Sequence, residues 1–106
     1  MRLPKNRPPT HPGEILLEEF LVPLDMTQTQ LAEALGISFV RVNAIINARR
    51  GITPDTALRL ERLFGSSAQF WLNLQMAWDL WHAMHAPEAR EIEAIRRAPG
   101  VAKAGA

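Results

Sequence analysis

Thr27-Gln28-Thr29-Gln30-Leu31-Ala32-Glu33-Ala34-Leu35-Gly36-Ile37-Ser38-Phe39-Val40-Arg41-Val42-Asn43-Ala44-Ile45-Ile46-Asn47 is the stretch whose pattern decides the fold. Thr27 supplies the side-chain oxygen that a helix start needs, and Leu31 with Leu35 puts an apolar pair on one face of a helix over 28–35. Gly36 can then take the left-handed conformation that closes a helix, where a Cβ would be penalised. Ser38 offers a second cap for a helix over 39–47, with Val42, Ile45 and Ile46 facing inward and Arg41 and Asn43 elsewhere on its surface. Two short helices around a glycine bend make a helix-turn-helix. In that motif the second helix offers its N-terminal residues to base edges in the major groove while the first crosses the backbone. Helix pairs of this kind also occur in bundles that never touch DNA. Charge separates the two readings: residues 34–54 carry Arg41, Arg49 and Arg50 and no carboxylate, whereas a merely solvated face mixes signs. Arg41 sits on the reading helix, and Arg49 and Arg50 follow its end, where phosphates would lie.

Helical signals continue on both sides. Pro4, Pro8, Pro9 and Pro12 make residues 1–12 an extended arm, and Pro12 suits the first position of a helix with Glu14 near its positive end. Leu17, Phe20, Leu21 and Leu24 form the apolar stripe of that helix, which Pro23 limits. Thr53-Pro54 starts a helix whose buried stripe is Ala57, Leu60, Leu63 and Phe64, ending at Gly65. Ser66 or Ser67 caps a fifth helix running to about residue 85. Its apolar residues cover about 200° of arc, roughly twice what a surface helix needs for one core. The surplus predicts a symmetric dimer through this helix, with Trp71, Trp78 and Trp81 as its interface. Residues 88–98 read as a short further helix and 99–106 as a frayed end.

Composition bounds the remaining possibilities. The chain has 106 residues, 47% hydrophobic and 22% charged, which describes one folding domain. Without cysteine there is no disulfide scaffold, thiolate zinc site or cysteine nucleophile. No stretch reaches the ~18 apolar residues of a membrane span, and the N-terminal arm has no apolar signal core, so the expected place is the cytoplasm, away from membranes. The 12 Lys and Arg against 11 Asp and Glu give a net charge of +1, but the sum hides segregation. Arg2, Lys5 and Arg7 make the arm basic, and Glu14, Glu18, Glu19 and Asp25 make the first helix acidic.

Catalytic patterns are missing. Glu18 and Glu19 are adjacent and diverge on a helix, and His11 before Pro12 reads as a helix-start residue. Asp79, His82 and His85 share a helical spacing but lack a fourth ligand. The expectation is no enzyme, no cofactor and no metal.

The segment Gln28–Ser38 resembles the core of phage-repressor-like, Xre-type helix-turn-helix domains. His11-Pro12-Gly13-Glu14-Ile15-Leu16, Asn47-Ala48-Arg49-Arg50-Gly51-Ile52-Thr53-Pro54 and Phe70-Trp71-Leu72-Asn73-Leu74-Gln75 resemble the HigA antitoxin family, over about residues 11–81. The resemblance implies a five-helix, DNA-binding dimer that neutralises a HigB toxin, an mRNA-cleaving ribonuclease of the RelE-like type, and represses its own operon. It implies that Gln28 reaches phosphate or a base edge, that Ser38, Phe39, Val40, Arg41, Asn43 and Ala44 face the groove, and that Asn47 contacts the backbone. Phe39 and Val40 stand where related repressors often have glutamines. Apolar side chains there can touch a thymine methyl, which leaves polar readout to Arg41 and Asn43. Asn-Ala-Arg-Arg likewise replaces the more familiar Asn-Gly-Lys-Arg.

The resulting expectation is an all-α protein: a five-helix phage-repressor-like helix-turn-helix domain with a C-terminal helical extension. A flexible basic arm occupies 1–12, the DNA-binding domain 13–85, and the C-terminal helix with its tail 86–106. The expected function is that of a type II antitoxin binding double-stranded operator DNA as a homodimer and neutralising a HigB-like toxin. The alternatives are a stand-alone repressor without a toxin and a protein-interaction module with little DNA binding.

Overall fold

His11 begins the first helix of the computed structural model, which describes residues 7–101. The ends of the basic arm and of the tail, residues 1–6 and 102–106, lie outside the described residues. The His11 ring accepts the Gly13 N–H at 2.9 Å through Nδ1, and Pro12 occupies the first helical position, where a missing N–H costs nothing. Helix α1 spans residues 12–24 and is not regular. Pro12–Ile15 is α-helical, Leu16–Leu21 widens into a π-helical turn, and Val22–Leu24 closes the element. Pro23 has no N–H and its ring crowds the carbonyl four residues earlier, so a wide turn just before it relieves the conflict.

That turn corrects the expected stripe. Leu16 and Leu21, five apart, are the buried pair, while Leu24 is 56% exposed, because the i→i−5 turn shifts later residues around the axis. Asp25 ends α1 in the left-handed region at φ 53°, with Met26 N–H returning to the Leu21 carbonyl at 2.9 Å.

Helix α2, Gln28–Leu35, opens with a reciprocal capping box. Thr27 Oγ1 accepts from Gln30 N–H at 3.0 Å, and Gln30 Oε1 accepts from Thr27 N–H at 2.9 Å. It closes at Gly36, φ 69°, with Ile37 N–H bonded to the Ala32 carbonyl. Helix α3, Phe39–Ile46, starts under Ser38, whose Oγ accepts the Arg41 N–H at 3.1 Å. Helix α4, Pro54–Phe64, is capped by Thr53 and ends at Gly65, φ 82°. Helix α5, Ala68–His85, is capped by Ser67.

Leu31, Leu35, Val42, Ile45, Ala57 and Leu60 bring α2, α3 and α4 into one core with Leu16 and Leu21 of α1 and Trp71 of α5. Trp71 is fully buried, donates Nε1–H to Ser66 Oγ at 3.1 Å and packs against the Phe20 ring. The start of α1 presses on the end of α3, so that a Cβ on Gly13 would lie 1.9 Å from the Ile45 carbonyl oxygen.

The last helix, α6, spans only Ala89–Glu93, not 88–98. Ile92 and Ile95 are 61% and 73% exposed, and a helix this short does not persist in water without an apolar face to bury. Among the described residues there is no strand, and no helix is long and apolar enough to cross a membrane.

Candidate nucleic-acid interface

At 100° per residue, Phe39, Val40, Asn43, Ala44 and Asn47 fall on an arc of about 140° on the side of α3 away from the buried Val42 and Ile45. Phe39 is 48% and Val40 75% exposed, an unusual placement for apolar side chains of a reading helix that has nothing to pack on within the chain. Asn43 Nδ2 donates to Gln28 Oε1 at 3.0 Å, tying the start of α2 to the middle of α3. The pair presents amide groups to whatever lies outside it. Ser38 spends its hydroxyl on the cap, Ala44 is half-buried, and Asn47 Nδ2 donates to the Asn43 carbonyl at 2.9 Å.

Arg41 projects off this arc, toward α4. Its Nη2 donates to Asp55 Oδ2 at 2.8 Å and to Thr56 Oγ1, and Arg59 Nε donates to the same Asp55 oxygen at 2.9 Å. The arginines hold the Asp55 carboxyl below its ordinary pKa, Arg41 first and Arg59 second. The expected base reader therefore has partners inside the chain and fastens α3 to α4. Arg59 continues the fastening through Nη1, which donates to the Leu35 carbonyl at the end of α2.

Arg49 and Arg50 behave differently. Both are exposed, and among the described residues neither pairs with a carboxylate. Their position depends on Ala48, which takes φ 59°, with Arg49 N–H returning to the Ala44 carbonyl at 2.8 Å. Beyond them Gln75 of α5 reaches across, its Oε1 accepting the Ile52 N–H at 2.7 Å and its Nε2 donating to Asp79. Gln75 and the Asp55–Arg59 pair were not singled out from sequence. The i, i+4 spacing of Asp55 and Arg59 was the available signal for the second, and for Gln75 it was its place at the end of the Phe70–Gln75 stretch, which does not name its partner.

Of the expected tryptophan interface, Trp71 is excluded by its burial. Trp71, Trp78 and Trp81 point to the inner side of α5: Trp71 has no exposed surface to offer a second copy, and Trp78 and Trp81 are half-buried. Trp78 meets the His11 ring edge-on at 4.9 Å, and Trp81 stacks on His85 at 3.9 Å. The surplus apolar arc is real but lies opposite, where Ile52, Leu72, Met76, Leu80 and Ala83 line a groove of about 580 Å³. His82 and His85 direct Nδ1 to the Trp78 and Trp81 carbonyls, and with Asp79 they do not come together as a ligand set.

Known proteins share this architecture. The helix-turn-helix family pattern matches residues 17–71, from the π-helical turn of α1 to Trp71. Virulence-associated protein I of Dichelobacter nodosus is 56% identical over 77 residues, 72% of this chain and 71% of that protein. Antitoxin HigA-1 of Vibrio cholerae is 42% identical over 81 residues, 76% and 75% of the two chains. The chain belongs to the HigA antitoxin family of Xre-type helix-turn-helix proteins. The solved structure of Pseudomonas aeruginosa antitoxin HigA with the higBA promoter superimposes with a TM-score of 0.78 at 45% identity, covering 88% of this chain and 99% of that one. The HigA family is one of regulators and antitoxins, not a class of enzymes.

Proposed function

We propose that the chain binds operator DNA as a dimer through α3, represses the promoter it binds, and acts as the antitoxin of a HigB-like ribonuclease. The observation that carries the reading is the outer arc of α3 continued by Arg49 and Arg50, a surface without a carboxylate and not used by the core. Phe39 and Val40 suit thymine methyl groups there, and Asn43 with Gln28 supplies amides for an adenine edge or a phosphate. Ser38 and Ala44 let the groove approach closely, while Asn47, Arg49 and Arg50 face the backbone. Arg41 reaches a base only by leaving Asp55 and Thr56, so its first role is to hold α3 in place.

Support for the antitoxin half comes from membership of the HigA family and from the likeness to Pseudomonas aeruginosa antitoxin HigA. A second copy seated on the groove of Leu72, Met76 and Leu80 supplies the second half-site reader.

A mobility-shift titration on the upstream promoter across a salt series tests the DNA reading. Asn43→Ala should relax sequence preference by about 1–3 kcal/mol, and Arg50→Ala should weaken binding to every duplex and lower the salt slope by about one. Equal binding to promoter and unrelated duplex rejects the assignment. Co-purification with the product of an adjacent small basic reading frame tests the antitoxin half, and a promoter shift without such a partner leaves a stand-alone repressor.

A further inference from the structure

The described end of the N-terminal arm, α1, the end of α3 and Trp78 of α5 surround a second groove of about 510 Å³, which meets the DNA-facing surface only at its rim, through Asn47 and Ala48. Pro8, Pro9, Leu17, Ile46 and the half-buried Trp78 give it apolar walls. Glu14 and Glu18, four residues apart, also border it, both exposed and, among the described residues, in no ion pair.

His11 is the second, independent feature. His11 as a residue is only 6% exposed, and its Nδ1 is committed as acceptor to Gly13 N–H, so the proton of the neutral ring sits on Nε2. Among the described residues that N–H meets no acceptor. It is not sealed either, since Trp81 Nε1 is the one enclosed side-chain nitrogen left without a partner there. Among the described residues the groove thus holds an imidazole N–H without an acceptor, an apolar wall, and two carboxylates outside any ion pair.

One chemistry satisfies all three together: a backbone carbonyl, an aliphatic stem and a cationic head, as an arginine or lysine within an extended peptide carries them. A nucleic-acid backbone is repelled by Glu14 and Glu18, and an acidic peptide likewise. We propose that this groove docks a basic peptide segment of a protein partner, with a cationic side chain lying along Leu17 and Trp78 onto Glu14 and Glu18 and a carbonyl meeting His11. That the partner is the toxin rests on the antitoxin reading above; the chemistry of the groove does not.

The full chain, 15N-labelled, is titrated with the probe acetyl-Ala-Arg-Ala-amide while the Gly13 amide, the Trp78 indole and the His11 ring nitrogens are followed by NMR. The expected result is a saturable shift at all three. The half-saturation point should rise at least fivefold when norleucine replaces arginine in the probe, and equally for the Glu14→Gln/Glu18→Gln variant, whose remaining amide spectrum reports its fold. Equal response to the norleucine probe overturns the proposal, as do arginine shifts spread over Asp25 and Glu33. Groove shifts that grow with protein concentration alone assign it to a second copy and also overturn it. A promoter mobility shift on the same sample reads the DNA half separately, so its failure beside intact probe binding rejects the operator reading and leaves the groove standing.

Discussion

Ala48 sits at φ 59°, a region that costs a residue with a Cβ about 1–2 kcal/mol, in the turn that positions Arg49 and Arg50. Ala48→Gly removes that cost and returns part of it as unfolded-chain entropy, so the variant should be more stable by about 0.5–1 kcal/mol in urea unfolding. An unchanged or lower midpoint would mean the turn is not strained. Gly13 is the opposite case. Its missing side chain admits the Ile45 carbonyl, and Gly13→Ala should cost about 3 kcal/mol or more because backbone atoms, unlike side-chain tips, cannot swing aside. A fully stable variant would show that α1 can pull back from α3. The helix-ending glycines Gly36 and Gly65 were legible in the sequence, since glycine after an apolar stripe has a local meaning. Arg41 was legible as a position but not as a contact. Its partners Asp55 and Thr56 are on another helix, and only the packing of α3 against α4 brings them within reach.

At the level of elements, caps and periodicity located α2, α4 and α5 well because each start has its own Ser or Thr and each stripe keeps a 3.6-residue period. Helix α1 defeated that logic, since a wide turn has a different period and nothing in an apolar run announces one before the proline is considered in three dimensions. The start of α1 carries a pH dependence. Burial first, and the neighbouring His82 after it, lower the His11 pKa from its ordinary 6.5, with Asp79 opposing. The unfolded chain then binds the proton more readily than the folded one, so His11 contributes its stability in full above about pH 6.5 and loses it as pH falls through the lower folded value. Protonation also fills Nδ1, the atom that accepts Gly13 N–H. Urea midpoints measured from pH 7.5 to 5 should fall, and His11→Asn, which keeps a capping oxygen without a titrating ring, should flatten that decline. A slope unchanged in the variant would move its origin to another group. Asp55 acts in a separate window, its depressed pKa placing its loss of stability below 3.8.

Considered whole, the molecule turns one face of α5 to its own core and leaves the other apolar and open. Counting apolar residues was enough to show that the helix has more surface than one core consumes, but not which residues are the surplus. Large aromatics attract attention in a sequence, whereas the packing buries Trp71, half-buries Trp78 and Trp81, and leaves Met76 and Leu80 outside. Light scattering at micromolar concentration should therefore give twice the 11.9 kDa chain mass, and Leu80→Asp should give a monomer whose promoter affinity drops at least tenfold while unfolding stays cooperative. A monomeric parent chain would remove α5 as an interface. Gln75 stands between that open face and the arginine loop: it borders the groove on one side and holds Ile52 N–H on the other. The loop is consequently ordered in the free protein, and conformational entropy of about 1–2 kcal/mol per backbone residue is lost during folding instead of on encounter with a duplex. A partner copy covering Gln75 would further shield that hydrogen bond from water, so that self-association and the preorganisation of two arginines become one event rather than two.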